Sequence, residues 1–162
     1  FPERCGACTL CIPACPTGAI PEPGLVDARR CISYWTIERR GPIPPEAAGR
    51  LHGWVFGCDD CQLACPWNRE PAASADPDLV PRPGQRALDV AGLLWMAEAE
   101  YRRRFNGTAL ARARYDGLVR NACLLAGQAR ERAHADRLRE LAAAGPAGVR
   151  EAALWALTQM GF

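Results

Sequence analysis

Four cysteines at the start of the chain restrict its fold more than any other feature. They lie at the spacing C-x2-C-x2-C-x3-C-P and are Cys5, Cys8, Cys11 and Cys15. This spacing is typical of bacterial sites for 4Fe–4S clusters, in which the first three thiolates bind one cluster and the fourth binds a second cluster. The motif therefore predicts two clusters and requires further cysteine ligands elsewhere in the chain.

A second group of cysteines supplies the missing ligands. Cys58, Cys61 and Cys65 end in Cys-Pro like the first group, and Cys31 lies between the two groups. A two-cluster ferredoxin would have a further cysteine at position 55, which is Val55 here, so Cys31 is the candidate to replace it. The predicted ligands of one cluster are Cys5, Cys8, Cys11 and Cys65, and those of the other are Cys15, Cys31, Cys58 and Cys61.

Disulfides and zinc are the alternatives for a chain with nine cysteines. Eight of the nine lie at cluster spacing by residue 65, and the cysteines that follow the C-x2-C pairs, Cys11, Cys15 and Cys65, exceed what a tetrahedral zinc site needs. Iron–sulfur clusters are therefore favoured over disulfides and zinc. Free thiols as ligands imply a reducing compartment, the cytoplasm. The ninth cysteine, Cys123, lies on the apolar face of a predicted helix and is predicted to be a core thiol.

The remaining pattern predicts an α+β fold that is mostly helical. We expect a ferredoxin-like domain with two 4Fe–4S clusters over 1–70, a linker over 71–88, and an α-helical, HEAT-repeat-like domain over 89–162. Within the first domain we predict helical segments at 8–15, 28–39, 44–48 and 59–64, with Asp27 as the N-cap of the second. One small hairpin is predicted, which pairs 19–20 with 25–26. In the second domain helices are predicted at 89–96, 98–105, 110–126, 134–144 and 147–160. The last two, joined by Gly-Pro, resemble one α-solenoid unit.

Two further features concern the ends and the location of the chain. No apolar run approaches the roughly 20 residues of a membrane span, and a cytoplasmic protein is predicted. The first residue is Phe1 and a predicted ligand follows at Cys5. We therefore expect that an amino-terminal part precedes this sequence.

Residues 101–120 contain six arginines and one acid, Asp116. One interpretation is a solvated helix face on which Asp116 pairs with Arg112 and Arg120 at i±4. The other is a phosphate-binding stripe for a nucleic acid. Composition favours neither. The two histidines, His52 and His134, are predicted to lie at the surface.

An ordered set of motifs resembles the epoxyqueuosine reductases over essentially the whole chain. The motifs are DARRCISY at 27–34, TIE at 36–38, GPIP at 41–44, GCDDCQ with CPWN within 57–68, FNGT at 105–108, Arg112, and the tripeptide Arg120-Asn121-Ala122. The ordered set carries the resemblance more strongly than any single block.

The resemblance implies a cobalamin-dependent oxidoreductase that performs the last step of queuosine biosynthesis on tRNA. In that family electrons pass through two clusters to a cobalamin held mainly by an amino-terminal domain, and an acidic residue of that domain supplies a proton. No catalytic residue is therefore expected in this chain, which alone should bind clusters and tRNA without turning over. The implied partners are the anticodon stem-loop with epoxyqueuosine and an external one-electron donor; a monomer with no membrane contact is expected.

The resemblance also selects candidate contacts. Ser33 and Asp59, each close to a predicted cluster ligand, are the candidates for facing the cobalamin. The nucleic-acid interpretation of the basic segment becomes the favoured one, because a wobble base lies in a single-stranded loop held by stacking and phosphate contacts. The candidate tRNA-binding residues are Thr108, Arg112, Arg114, Arg120 and Asn121.

Two rival functions have the same cysteine pattern. A reductive dehalogenase also couples two clusters to cobalamin, but it does not need an arginine-rich helical extension. A two-cluster electron carrier fused to a helical interaction module would need neither cobalamin nor tRNA.

Overall fold

The computed structural model describes residues 5–70, 74–80 and 87–162. Within these ranges the fold is mostly helical, as predicted, and its extended structure is one isolated bridge between Glu22 and Leu25. The α-helices are α1 Cys11–Ala14, α2 Pro45–Ala48, α3 Asp60–Leu63, α4 Val90–Trp95, α5 Glu98–Phe105, α6 Arg114–Ala129, α7 Ala135–Ala144 and α8 Ala147–Met160. Short 3-10 turns lie at Ala28–Arg30, Pro66–Asn68, Pro77–Leu79, Ala109–Ala113 and Arg132–His134, and a π-helix at Tyr34–Glu38.

The first half differs from the sequence prediction in two places. The helix predicted over 28–39 is interrupted at Cys31, whose extended backbone (φ −78°, ψ 126°) separates the 3-10 turn from the helical residues that follow. Asp27 does cap this turn, because its carboxylate accepts a hydrogen bond from the Arg29 N–H at 3.1 Å. The predicted hairpin is reduced to the single bridge, since Pro21 and Pro23 have no N–H to donate to a ladder.

The second half follows the predicted helices closely, with one exception. The helix predicted over 110–126 is a 3-10 turn followed by α6, which continues past Gly127 to Ala129. Gly127 does not end the helix because it is a packing position: a Cβ there would lie 2.7 Å from the Cα of Ala156 in α8. Arg130, in the left-handed conformation, ends α6 instead.

One hydrophobic core joins the two predicted domains. Ile32 and Trp35 from the first half belong to the same buried cluster as Phe105 and Leu118 from the second half. Helix α6 lies at the centre of the second half and packs against α8 and α4, while α7 packs against α8. The predicted domain boundary stays a prediction, and parts of the predicted linker, 71–73 and 81–86, lie outside the described residues.

A buried polar seam also joins the two halves. It consists of Arg120 and Asn121 on α6, which are 2% and 0% exposed. The Arg120 guanidinium donates to the carbonyl oxygens of Trp35, Arg39 and Gly41 at 2.7–2.8 Å and to Asn121 Oδ1. Asn121 Nδ2 donates to the carbonyl oxygens of Thr36 and Val55, both at 2.8 Å. The seam therefore holds α6 on the backbone of the first half.

Over the residues that the structure describes, no helix is long and apolar enough to cross a bilayer.

Candidate iron–sulfur centre and nucleic-acid interface

A cavity of about 310 Å³ in the first half is lined by four cysteines. These are Cys15, Cys31, Cys58 and Cys61, the four ligands predicted for one cluster. Cys15 follows α1, Cys31 lies at the break in the predicted helix, Cys58 precedes α3 and Cys61 lies within α3. The extended backbone at Cys31 thus interrupts a helix at the position that contributes a thiol to this cavity.

The thiols of this cavity influence one another electrostatically. Burial raises the pKa of Cys58 to about 11, to which the charges of Asp60 and Cys31 also contribute. Burial raises the pKa of Cys61 as well, and the neighbouring Cys31 and Cys15 add to the shift. Four thiolates in this space would repel one another unless cations lie between them. This donor set suits a 4Fe–4S cluster, in which each thiolate binds one iron atom.

The volume of the cavity, about 310 Å³, leaves room for a group larger than a single ion. In the part of the chain that the structure describes, no three Cys, His, Asp or Glu side chains are grouped so as to hold one metal ion. The four thiols instead surround a volume, as ligands at four separate irons must.

Cys15 has an additional polar environment. Its Sγ accepts a hydrogen bond from the Ala19 N–H at 3.1 Å and lies 3.6 Å from the Thr17 hydroxyl, and Thr17 is only 2% exposed. Burial raises the pKa of Cys15, but the hydrogen bonds from Thr17, Ala19 and Ile20 outweigh it and hold the pKa below its ordinary value. Sequence reasoning missed Thr17; its position two residues after a predicted ligand was the available signal.

The other predicted ligand set is more open. Cys5 and Cys8 are exposed, and Cys11 and Cys65 are partly buried. Cys11 begins α1 and Cys65 follows α3, and these two helices pack against each other. The assignment of these four thiols to one cluster stays a prediction.

The two cobalamin candidates line the cysteine cavity. The Ser33 hydroxyl donates to the Cys58 carbonyl at 3.4 Å. Asp59 is exposed and its carboxylate does not cap α3. The role of both residues toward cobalamin stays a prediction.

The five tRNA candidates separate into two groups. Arg112 and Arg114 are exposed, and Thr108 is partly exposed, with its hydroxyl donating to the Phe105 carbonyl. Arg120 and Asn121 are buried in the polar seam, so the prediction that they contact tRNA is wrong: the backbone of the first half occupies their donors.

The structure does not show the pairs that the solvated-face interpretation placed around Asp116. Arg112 Nε lies 2.6 Å from Glu38 Oε1 in the π-helix, and the 3-10 turn before α6 takes Arg112 off the regular i±4 spacing. Arg120 keeps that spacing within α6, but its guanidinium donates to the carbonyl oxygens of the first half.

The remaining cysteine and the histidines are as follows. Cys123 is fully buried, as predicted, and burial raises its pKa to about 12. His52 is exposed as predicted. The His134 side chain is partly buried and lies 3.0 Å from Glu131 Oε2.

Together, the cysteine cavity and the shared core define an iron–sulfur protein whose cluster-binding half is packed against an α-helical half. A family model described as a 4Fe–4S double cluster binding domain matches residues 4–68. The chain is 45% identical over 126 residues to the epoxyqueuosine reductase of Gloeobacter violaceus, covering 75% of this chain and 40% of that protein. It is 40% identical over 164 residues to that of Alicycliphilus denitrificans, covering 96% and 46%.

Solved structures agree with these sequence relatives. A crystal structure of epoxyqueuosine reductase with an epoxyqueuosine-modified tRNA-Tyr stem loop matches the whole chain with a TM-score of 0.91 and 31% identity, over 43% of its own length. A selenomethionine-labelled epoxyqueuosine reductase matches 99% of the chain with a TM-score of 0.90 and 30% identity, over 43% of its length. The chain is therefore a relative of the epoxyqueuosine reductases, as its motifs predicted, and spans less than half the length of these relatives.

Proposed function

We propose that this chain is part of an epoxyqueuosine reductase that uses two 4Fe–4S clusters and a cobalamin to reduce epoxyqueuosine to queuosine in tRNA. The observation that carries the proposal is the cavity lined by Cys15, Cys31, Cys58 and Cys61, in a chain similar to epoxyqueuosine reductases along nearly its whole length. When bound, 4Fe–4S clusters accept and release single electrons.

The residues of the chain divide this work between holding the clusters and shaping their surroundings. Cys15, Cys31, Cys58 and Cys61 hold one cluster, and Cys5, Cys8, Cys11 and Cys65 hold the other. Thr17 and the Ala19 N–H stabilise negative charge on the Cys15 sulfur. Ser33 and Asp59 line the same cavity and are the residues of this chain that we assign to the cobalamin side. We assign neither the catalytic acid nor the electron donor to residues of this chain.

The function is tested by following conversion of epoxyqueuosine to queuosine in tRNA with the full-length, cluster-loaded protein, using mass spectrometry of nucleosides. Cys58→Ala is expected to abolish conversion, whereas Cys123→Ala, a change of the same type in the core, retains it. Reduction of organohalides in place of tRNA would instead support the dehalogenase, and cluster reduction without either reaction would support the electron carrier.

The polar contact at Cys15 leads to a prediction for the cluster potential. Hydrogen bonds to cluster sulfurs favour the more negative, reduced state. Thr17→Val removes one such bond, worth about 1 kcal/mol, which is about 40 mV for a one-electron couple. Only the difference in the strength of this bond between the two redox states shifts the potential, so we expect the potential of one cluster to fall by at most this amount in an EPR-monitored redox titration. Thr17→Ser keeps the hydroxyl and serves as the control; equal potentials in the valine and serine variants would contradict the role of the hydroxyl.

We assign the tRNA contact to Arg112 and Arg114, the two exposed arginines among the predicted tRNA-binding residues. Arg112→Ala and Arg114→Ala are each expected to weaken binding of the stem-loop and to lower the slope of log K against log salt concentration by about one, since each removes one phosphate contact. Arg112 should give the smaller effect because Glu38 already neutralises it. Fluorescence anisotropy at several salt concentrations measures both quantities, with Arg139→Ala, on α7, as a charge-matched control. Unchanged affinity in both variants would remove these residues from the interface.

A further inference from the structure

A second cavity, of about 230 Å³, lies where the two halves meet and is lined by four arginines. Arg39 and Arg40 follow the π-helix, and Arg114 and Arg120 belong to α6. The other side is formed by 146–149, at the start of α8. Among the lining residues the one carboxylate is Asp116. The cavity is thus strongly cationic and separate from the cysteine sites, and one of its arginines, Arg114, is already a candidate contact for tRNA.

Arg120 gives this cavity a fixed positive charge. Its five N–H groups all donate to neutral oxygens. Three bonds go to the main-chain carbonyls of Trp35, Arg39 and Gly41, and two go to Asn121 Oδ1. Over the described residues it forms no ion pair with a carboxylate, although it is only 2% exposed. Burial, and then the charges of Arg39 and Arg40, lower its pKa to about 10, so it stays cationic at neutral pH. A buried charge of this kind is normally balanced by an opposite charge.

Arg40 and Arg114 supply the cationic groups at the surface of the cavity. The Arg40 guanidinium donates to the carbonyl oxygens of Ile37, Arg112 and Ala113 at 3.0–3.3 Å, which fixes it in place. Arg114 is exposed, and within the described part of the chain its side chain makes no ion pair or hydrogen bond. Its backbone (φ 63°, ψ 166°) is a conformation that residues other than glycine rarely adopt. The chain therefore accepts a strained residue at the rim of the cavity.

The start of α8 adds hydrogen-bond donors to the opposite side. This fourteen-residue helix begins after Pro146 with no side-chain cap and no acidic residue in its first turn. The first N–H groups of a helix have no partner within it, and those of Ala147, Gly148 and Val149 belong to residues that line the cavity. Gly148 allows the start of α8 to lie against Gly41, because a Cβ at position 148 would lie 2.8 Å from the backbone of Gly41.

We propose that this cavity binds a phosphate group between the guanidinium groups of Arg40 and Arg114 and the first turn of α8. Guanidinium forks and helix N-termini are both suited to phosphate oxygens, and the charge of Arg120 beneath them is the one that a bound anion would balance. Resting on the proposed function, the phosphate is one from the backbone of the bound tRNA; the same chemistry would accept free phosphate. Asp116 opposes the anion and limits its affinity.

The test uses the full-length, cluster-loaded protein and an anticodon stem-loop in which single phosphates are replaced by neutral methylphosphonates. Arg114→Gln is expected to weaken binding of the unmodified stem-loop about tenfold, the effect of losing one charge-assisted contact. Asp116→Asn is expected to tighten it several-fold. Arg139→Gln, which removes the same charge from α7, should have little effect. At one methylphosphonate position the wild-type protein should lose about tenfold in affinity, while Arg114→Gln loses nothing further.

Inorganic phosphate, titrated calorimetrically, separates this site from the proposed function. If the stem-loop does not bind but inorganic phosphate binds and Arg114→Gln abolishes that binding, the anion site is supported and the tRNA partner is not. If the stem-loop binds but Arg114→Gln and Arg139→Gln behave alike, with no methylphosphonate position that depends on Arg114, the site is overturned and the tRNA partner stands. Binding of neither probe would overturn both.

Discussion

Cys31→Ala is expected to lower the iron bound per chain from about eight atoms to about four, because it removes one ligand from one of two four-iron clusters. Cys31 is the one cysteine between Cys15 and Cys58 in the sequence. The cavity that it lines has one thiol for each iron of a cluster, so no spare thiol is present there to replace it. Iron and acid-labile sulfide analysis measures the loss, and EPR of the reduced protein should show the signal of one remaining cluster.

Two further variants make this result unambiguous. Cys123→Ala removes a buried thiol that lines no cluster site and should keep all the iron. Cys8→Ala should remove the other cluster and leave the one in the cavity. Because cluster binding is coupled to folding, loss of the cluster in Cys31→Ala can also unfold the protein. Circular dichroism distinguishes a folded protein with four iron atoms from an unfolded one. Both outcomes agree with Cys31 as a ligand. A stable Cys31→Ala protein with its full iron content would show that Cys31 is not a ligand.

Asn121→Leu is expected to lower the free energy of unfolding by about 3 kcal/mol or more. Asn121 is fully buried, and its removal leaves the carbonyls of Thr36 and Val55 and the Nε of Arg120 without this partner. Each buried polar group without a partner costs about 1–3 kcal/mol. Urea unfolding of the cluster-loaded protein, followed by circular dichroism, measures the change.

A matched control lies about two turns further along the same helix. Gln128 is partly buried and donates one hydrogen bond, to the Ala48 carbonyl at 2.7 Å. Gln128→Leu should cost about 1 kcal/mol, the value of a single replaceable bond. Equal effects of the two substitutions would mean that the polar seam contributes no more than a single partly buried hydrogen bond.

The sequence predicted most of the helices and the four thiols of the cavity, and the physical reasons are clear. Cysteine spacing is a direct requirement of cluster geometry, and proline and glycine end helices such as α7 locally. Gly127 misled the prediction because its role is set by Ala156, which approaches from another helix. Local periodicity contains no information about such contacts.

Arg120 and Asn121 were misassigned for a related reason. An arginine in a basic segment is normally solvated, and only the packing of α6 against the first half shows that this one is buried. The interruption at Cys31 and the strained backbone of Arg114 were not predicted either, because both lie within segments whose local pattern is helical. The arginine cavity could not be predicted either, since its four arginines come from positions up to 81 residues apart in the sequence.

The polar seam has a consequence for how this protein can change over evolutionary time. Every acceptor that the seam uses in the first half is a main-chain carbonyl, at Trp35, Thr36, Arg39, Gly41 and Val55. Substitutions that keep the local backbone leave these carbonyl groups in place; Gly41, with a φ of 72°, is an exception because other residues rarely adopt that conformation. Insertions and deletions between 35 and 55 displace the carbonyls themselves. The junction therefore depends on loop length and backbone conformation more than on the side chains that carry its acceptors.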